Sequence, residues 1–199
     1  MFFSSFLKSL TLAKKVAYLG IFTAFSVIVN IFSIPLADLQ FSLTFTVCFL
    51  AGTLFGGIGG LAVGAIGDIL GVLIQGNAPL WFVTLNTACL GFLSGVIMNI
   101  RIPVKGGAYI KAVIAFIVCF IVCTCGINAY GFYGLYGAGA TFTQWVNANF
   151  PSVAQPYFLY VLYRLIVKGQ LVISVVNYAL SLLLIPAINA VKPLKVKIE

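Results

Sequence analysis

Six apolar runs alternate with short polar segments along the chain. They cover Val16 to Ile34, Phe41 to Phe55, Ile58 to Ile74, Leu80 to Ile100, Ile110 to Ala129, and Tyr160 to Ile188. A helix needs about 20 mostly apolar residues to cross a bilayer, and most of the runs approach that length. The pattern therefore predicts an all-α fold, an integral membrane bundle of six transmembrane helices that forms one domain over residues 1–199.

Glycine is concentrated in the second and third runs, which are also the shortest. Small residues let the backbones of neighbouring helices approach closely in lipid. These two runs therefore predict two tightly packed helices joined by a very short turn.

The composition excludes several classes of protein. Hydrophobic residues make up 62% of the chain and charged residues 7%, whereas soluble domains have about 45–50% and 25%. The net charge of +8 does not predict a nucleic-acid partner, because the cations lie at the ends of apolar runs and not together on a wetted face. The chain has no histidine, which removes imidazole ligands and histidine proton relays. We expect no cofactor and no metal site.

Two further classes of protein are not expected, because the chain lacks the residues that their chemistry needs. The chain has no Gly-Lys-Ser/Thr sequence, so it has no Walker A loop and is not expected to hydrolyse ATP by itself. It also offers no nucleophile beside a base and no glutamate inside a span, so we do not expect an enzyme.

The basic residues predict the orientation of the bundle. If the amino terminus is cytoplasmic and all six runs cross, the outer loops contain none of nine cations. Those on the inner side are Lys8, Lys14, Lys15, Arg101, Lys105, Lys111, Lys192, Lys195 and Lys197. The positive-inside rule then places both termini in the cytoplasm. Residues 1–15 are predicted to form an amphipathic segment on the inner membrane surface, with a disordered tail as the alternative, and residues 190–199 a basic cytoplasmic tail.

Two cations fall outside this pattern. Arg164 and Lys168 lie four positions apart at the start of the sixth run, near the outer leaflet, and this spacing places them on one helix face. They are predicted to hold an anionic ligand that enters from outside. The alternatives are snorkelling to head groups or an ion pair with Asp68. Asp68, inside the third run, must be paired or protonated, and either a ligand or one of these cations would supply the partner.

Amides and aromatic residues gather on the predicted outer side. Gln75, Trp81, Thr84 and Asn86 lie between or just inside the third and fourth runs. A buried amide in lipid needs partners, so Asn86 indicates a pocket, whereas Trp81 equally suits an interfacial belt. The extracellular segment 130–160, with its aromatic residues and glycines, predicts a lid over a planar ligand, or alternatively a re-entrant segment.

The first span carries small residues near its cytoplasmic start. Ala17, Gly20 and Ala24 include one small-xxx-small pair. Such pairs pack helices within one protein, or alternatively dock another membrane protein.

Taken in order, these features resemble the substrate-binding S-component of an energy-coupling factor (ECF) vitamin transporter, and are most similar to its folate-type branch. The matching segments are Gly20-Ile21-Phe22-Thr23-Ala24, Leu50 to Gly56 with Gly64 to Gly71, Phe82 to Asn86 with Gly91 and Gly95, and Arg164 to Lys168 with Asn177.

The resemblance implies a six-helix bundle in the plasma membrane of a bacterium. It binds a vitamin at its extracellular side and docks to a T-component that works with two cytoplasmic ATPases. For folate, it implies that Arg164 and Lys168 hold the anionic end, that Asp68 or Asn86 meets the pterin donors, and that Trp81, Tyr136 or Trp145 stacks on the rings. The expected substrate-binding set is Arg164, Lys168, Asp68, Asn86, Thr84, Trp81, Gln75, Tyr136, Trp145 and Asn177, and the expected docking set is Ala17, Gly20 and Ala24.

Residues 141–159 look longer than the folate-type connection into the last helix, and a changed lid is compatible with a changed ligand. Another carboxylate-bearing vitamin such as pantothenate is the alternative substrate. From another class, a self-sufficient secondary transporter is the alternative, although no inverted repeat is visible in the sequence.

Overall fold

The computed structural model describes residues 2–36, 39–100, 106–136, 139–151 and 157–190, and for residues 34–36, 39–41, 136 and 188–190 it describes the backbone alone. The helices are α1 (Ser5–Ser9), α2 (Leu12–Ile31), α3 (Thr44–Phe55), α4 (Gly57–Ile74), α5 (Trp81–Met98), α6 (Gly107–Cys119), α7 (Ala129–Tyr136), α8 (Ala140–Asn149), α9 (Tyr157–Leu162) and α10 (Gln170–Ala190). Two π-helical segments continue α6 over Phe120–Asn128 and α9 over Tyr163–Val167.

A small antiparallel hairpin precedes α3. Its strands are β1 (Ile34–Leu36) and β2 (Leu39–Phe41), and Ile34 pairs with Phe41. The apolar pattern predicts helix from Phe41 onward, but the structure begins α3 at Thr44. Helix α3 is therefore shorter than predicted.

Five helical segments are long and apolar enough to cross a membrane. They are Leu12–Ile31, Gly57–Ile74, Trp81–Met98, Gly107–Leu135 and Gln170–Ala187. The predicted helical membrane bundle is confirmed in this sense. Helix α3 has 12 residues, a length of about 18 Å, which is less than the hydrocarbon thickness of about 30 Å. That all six runs cross, and that both termini are cytoplasmic, stay predictions.

Glycines bring α4 into backbone contact with α5. A Cβ added to Gly60 would collide with the carbonyl oxygen of Gly91, and one added to Gly64 would collide with that of Thr87. The glycine-rich pattern predicts close packing of α4 with α3, and a Cβ added to Gly60 would also lie 2.7 Å from the Cα of Gly52 on α3. Close backbone approach of this kind replaces side-chain interdigitation in lipid-facing bundles. Helices α3, α4 and α5 thus form the centre of the molecule.

The amino-terminal segment packs against the bundle, and its position on the inner membrane surface stays a prediction. Ser4 and Leu7 are buried, the Ser4 hydroxyl donates to the Leu54 carbonyl, and the Ile58 amide donates to the Phe2 carbonyl at 3.1 Å. Gly56, in the left-handed region at φ 87°, makes the α3–α4 turn that receives it. Helix ends leave backbone groups without partners, and the amino-terminal segment supplies hydrogen-bond partners for those at the α3–α4 turn.

The predicted outer loop over residues 130–160 contains helices. Helices α7 and α8 and the start of α9 occupy its described part. Phe142 and Val146, one turn apart on α8, are buried against Tyr160 and Tyr163. This burial of one face explains why a segment rich in polar residues is helical.

The last apolar run is divided into two helices. Gly169 adopts φ 78°, between the π-helical end of α9 and the start of α10. A left-handed residue cannot continue a helix, so α10 forms its own membrane-length segment. The predicted basic tail falls on residues 191–199, outside the described residues.

Candidate functional site

Arg164 lies inside a cluster of aromatic side chains at the junction of α7 and α9. Its side chain is 7% exposed. The guanidinium carbon lies 4.4 Å from the centre of the Phe132 ring, and the Tyr160 hydroxyl is close enough to interact with the guanidinium. A guanidinium has five N–H donors, and one ring face and one hydroxyl do not use them all. The remaining donors suit an anionic or carbonyl-rich ligand.

Lys168 contacts a different aromatic ring from Arg164. Because the backbone before it is π-helical, the Lys168 amide donates to the Tyr163 carbonyl, five residues back, at 3.1 Å. Its ammonium group lies 5.4 Å from the centre of the Tyr163 ring. Both cations face aromatic rings, a favourable contact, but the rings differ. That the two cations form one stripe for an anionic ligand stays a prediction.

Helix α8 adds Trp145 to this aromatic cluster. The Trp145 ring lies 5.3 Å from that of Tyr163, and Phe142 contacts Tyr160 edge to face at 5.3 Å. The structure therefore brings Trp145 near Arg164. It also gives Trp145 a packing partner within the protein.

Within the described part of the chain, two buried amide oxygens beside the cluster have no hydrogen-bond partner: Oδ1 of Asn86 and Oδ1 of Asn128. The rings of Phe82 and Phe132 lie 5.0 Å apart and hold α5 against α7. Asn86 follows Phe82 by four residues on α5, and Asn128 precedes Phe132 by four residues, so each amide lies about one turn from its phenylalanine. A buried polar group without a partner costs about 1–3 kcal/mol. These oxygens are positioned to accept hydrogen bonds from a bound molecule.

Tyr157 connects α9 to the π-helical part of α6. Its hydroxyl donates to the carbonyls of Cys125 and Gly126. A π-helix changes the hydrogen-bond pattern of the backbone and occurs frequently at functional sites. Tyr157 therefore fixes the wall of the site beside Asn128.

Asp68 belongs to a second polar group at the same end of the bundle. Asn30 Nδ2 donates to Asp68 Oδ1 at 3.3 Å, and Thr84 Oγ1 donates to Asp68 Oδ2 at 2.7 Å. Gln75 Nε2 donates to the Asn30 carbonyl at 3.0 Å. Among the described residues, Asp68 thus pairs with neutral groups and not with Arg164. The predicted residues Asp68, Thr84 and Gln75 do come together, with their polar atoms engaged by the protein.

Three further residues were predicted to contact the ligand, and the two whose side chains are described lie in other surroundings than the aromatic cluster around Arg164. Trp81 is 72% exposed and lies edge to face on Phe82. Asn177 is buried, donates to the Ser42 carbonyl at 3.0 Å and accepts from Thr46 at 3.1 Å, so its amide joins α10 to α3. The side chain of Tyr136 lies outside the described residues.

The predicted docking residues share one surface. Ala17, Gly20 and Ala24 are all exposed on α2, and an added Cβ at Gly20 would meet nothing within 4 Å. Packing within the described chain therefore does not account for them.

The sequence prediction missed four residues that lie beside Asp68 or in the aromatic cluster around Arg164: Asn30, Asn128, Phe132 and Tyr160. Asn30 and Asn128 carry the same signal as Asn86, an amide in an apolar run. Phe132 and Tyr160 gave no signal in the sequence, because aromatic residues are common throughout the chain.

Comparison with known proteins gives one match. A family model described as the S component of ECF-type riboflavin transporters matches residues 11–168. No curated protein matches the chain. The S-component resemblance is confirmed, while the match names riboflavin and not the folate-type branch.

Proposed function

Because the chain belongs to the family of S components of ECF-type riboflavin transporters, we propose that it binds a vitamin beside Arg164 and presents it to a transport module. The observation that carries the site is the pair of unpartnered amide oxygens, Asn86 Oδ1 and Asn128 Oδ1. They lie one helical turn below the aromatic contact between Phe82 and Phe132. A ligand with a planar ring and N–H donors along one edge would complement both features.

Riboflavin is the first candidate ligand, because the family description names it. Its fused ring system offers an imide N–H to an amide oxygen and a flat face to phenylalanine or tyrosine. The amide N–H groups of the same asparagines supply donors for its carbonyls.

Folate is the second candidate, and Arg164 is the observation that favours it. The pterin of folate also presents N–H groups at the edge of a fused ring. Its glutamate carboxylates would in addition pair with a guanidinium that has no carboxylate partner among the described residues. Pantothenate would satisfy the cation as well, but it has no ring for the aromatic cluster.

The proposal includes the partners of an S component. The exposed small residues Ala17, Gly20 and Ala24 suit close contact with helices of a T-component, which two cytoplasmic ATPases drive. On this proposal both termini are cytoplasmic, in the plasma membrane of a bacterium. The alternative of a self-sufficient transporter has no support in an inverted repeat or in paired discontinuous helices.

The site is tested by titrating riboflavin, and in parallel folate, into the purified chain and into Asn86→Leu. Removing the amide leaves a ligand N–H unpaired, and we expect affinity to fall about tenfold or more. Asn149→Leu is the matched control, because Asn149 is exposed and its amide bonds only to Trp145 of its own helix. Equal affinity of wild type and Asn86→Leu for the vitamin that binds would refute this site.

A further inference from the structure

We propose that Asp68 is a positioning residue that couples α2, the proposed docking helix, to the ligand-binding end of α5. The inference rests on the proposed function and adds a route by which docking and ligand binding influence each other. Its starting point is that the two carboxylate oxygens of Asp68 bond to two different helices.

The first step is the position of the carboxylate. Asp68 is 3% exposed on α4, and it receives one hydrogen bond from Asn30 of α2 and one from Thr84 of α5. Water does not compete for interhelical hydrogen bonds inside a membrane bundle, so the geometry of one partner constrains the other. Gln75, at the end of α4, adds a third contact through the Asn30 carbonyl.

The second step is the attachment of α2 to the bundle. Its buried residues are Ser26, Val27 and Asn30, all near its carboxyl end. Ser26 lies against Gly67 and Asn30 against Gly71, the residues on either side of Asp68 in the helical register. The rest of α2 is largely exposed and carries the proposed docking surface. Phe22 in the middle of α2 also contacts the Phe55 ring at 5.1 Å, so a displacement of α2 acts on the bundle through this ring and through Asp68.

The third step leads from Thr84 to the ligand site. Thr84 lies two residues from both Phe82 and Asn86 on the first turns of α5. The Phe82 ring contacts the Phe132 ring at 5.0 Å, and Phe132 lies under the Arg164 guanidinium at 4.4 Å. Side-chain contacts, together with the first turns of α5 between Thr84 and Phe82, thus join Asn30 to Arg164 through Asp68.

The coupling is tested by hydrogen exchange on the full chain in lipid nanodiscs, with and without saturating vitamin, using riboflavin and folate as probes. We expect the bound vitamin to slow exchange in α5 of every variant. It should also change exchange in the last turn of α2 in the wild type and in Asp68→Asn, which keeps an acceptor of the same shape. Asp68→Leu should lose the α2 response and keep the α5 response. Thr87→Val is the control, because the Thr87 hydroxyl bonds only to carbonyls of its own helix.

Two outcomes overturn the inference while leaving the proposed function intact. One is a vitamin that protects α5 with no response in α2 of the wild type. The other is an α2 response in Asp68→Leu equal to that of the wild type.

If neither vitamin binds, the proposed function fails. The coupling of α2 to α5 through Asp68 is then tested by a double-mutant cycle measured without ligand. Thermal unfolding is measured for Asn30→Ala, Thr84→Ala and the double variant. A shared carboxylate predicts that the loss of Tm in the double variant differs from the sum of the single losses, and that this difference disappears in an Asp68→Leu background. Additive losses in the presence of Asp68 would overturn the inference.

Discussion

At the scale of single residues, Arg164 decides between the two candidate vitamins. Its guanidinium is buried over the Phe132 ring, without a carboxylate partner among the described residues. A hydrogen bond to a charged group contributes about 1.5–3 kcal/mol, and one between neutral groups about 0.5–1.5 kcal/mol. The same side chain therefore matters more for a ligand with a carboxylate than for a neutral one.

We expect Arg164→Ala to weaken folate about tenfold to a hundredfold, and riboflavin by about tenfold at most. Titration of both vitamins into the same preparation measures the ratio of the two losses. Lys168→Ala serves as the comparison, because the Lys168 ammonium group lies over a different ring. It should weaken vitamin binding less than Arg164→Ala does. Equal losses for both vitamins on Arg164→Ala would show that the guanidinium acts through packing alone.

The sequence reveals which residues are unusual, but not which of them face each other. Arg164, Asp68 and Asn86 stand out because ionisable groups and amides are rare inside apolar runs. Their grouping depends on helix register, and the π-helical turn before Lys168 shifts that register by one hydrogen bond. Asp68 pairs with Asn30 of α2 and Thr84 of α5, contacts that no spacing along the chain predicts.

At the scale of secondary-structure elements, α1 shows how a short segment completes a turn inside the bundle. Leu7 is buried in the main apolar core, 5% exposed, while Ser4 pairs with the end of α3. The pattern of phenylalanine, leucine and lysine predicts a surface helix, because hydrophobicity does not show whether an apolar face meets lipid or protein. The unpaired backbone groups of the α3–α4 turn favour the protein.

Leu7→Ala should lower the free energy of unfolding by about 2–5 kcal/mol, as expected for a leucine removed from a core. Leu12→Ala is the matched control, because Leu12 is 77% exposed on the neighbouring helix. Thermal unfolding of both variants in detergent measures the difference. Similar midpoints for the two would place the amino-terminal segment outside the stable core.

The segment over residues 130–160 illustrates the limit of loop prediction. Its glycines and polar residues are typical of a loop, yet α7 and α8 form there because Phe142, Val146 and their aromatic neighbours bury one face. Tertiary packing overrides local preference where enough apolar area is buried. The described part of this segment packs against Tyr160 and Tyr163, and its role as a lid over the ligand stays a prediction.

At the scale of the whole molecule, the proposed ligand site and the proposed docking surface involve different helices. The amide oxygens and Arg164 are enclosed by α5, α7 and α9, whereas Ala17, Gly20 and Ala24 are exposed on α2. Because nothing lies within 4 Å of an added Cβ at Gly20, a larger side chain fits the isolated chain. It would obstruct only a surface that approaches α2 from outside.

Gly20→Leu should therefore keep vitamin affinity within about twofold of wild type, since surface changes away from a site have small effects, and abolish vitamin uptake in cells that supply the T-component and ATPases. Binding to purified protein and uptake by whole cells are measured for the same variant. Unimpaired uptake would show that α2 is not the docking helix. Loss of vitamin binding would show that α2 shapes the ligand site.

The measurement that tests the central claim most directly is a titration of the purified chain with a panel of six vitamins, followed by tryptophan fluorescence: riboflavin, folate, 5-formyltetrahydrofolate, pantothenate, thiamine and biotin. Trp145 lies in the aromatic cluster beside Arg164, so a bound ring should alter its emission. The account predicts saturable binding of riboflavin or a folate, and none for the vitamins without a fused planar ring that has N–H groups at its edge. No binding across the panel would contradict it.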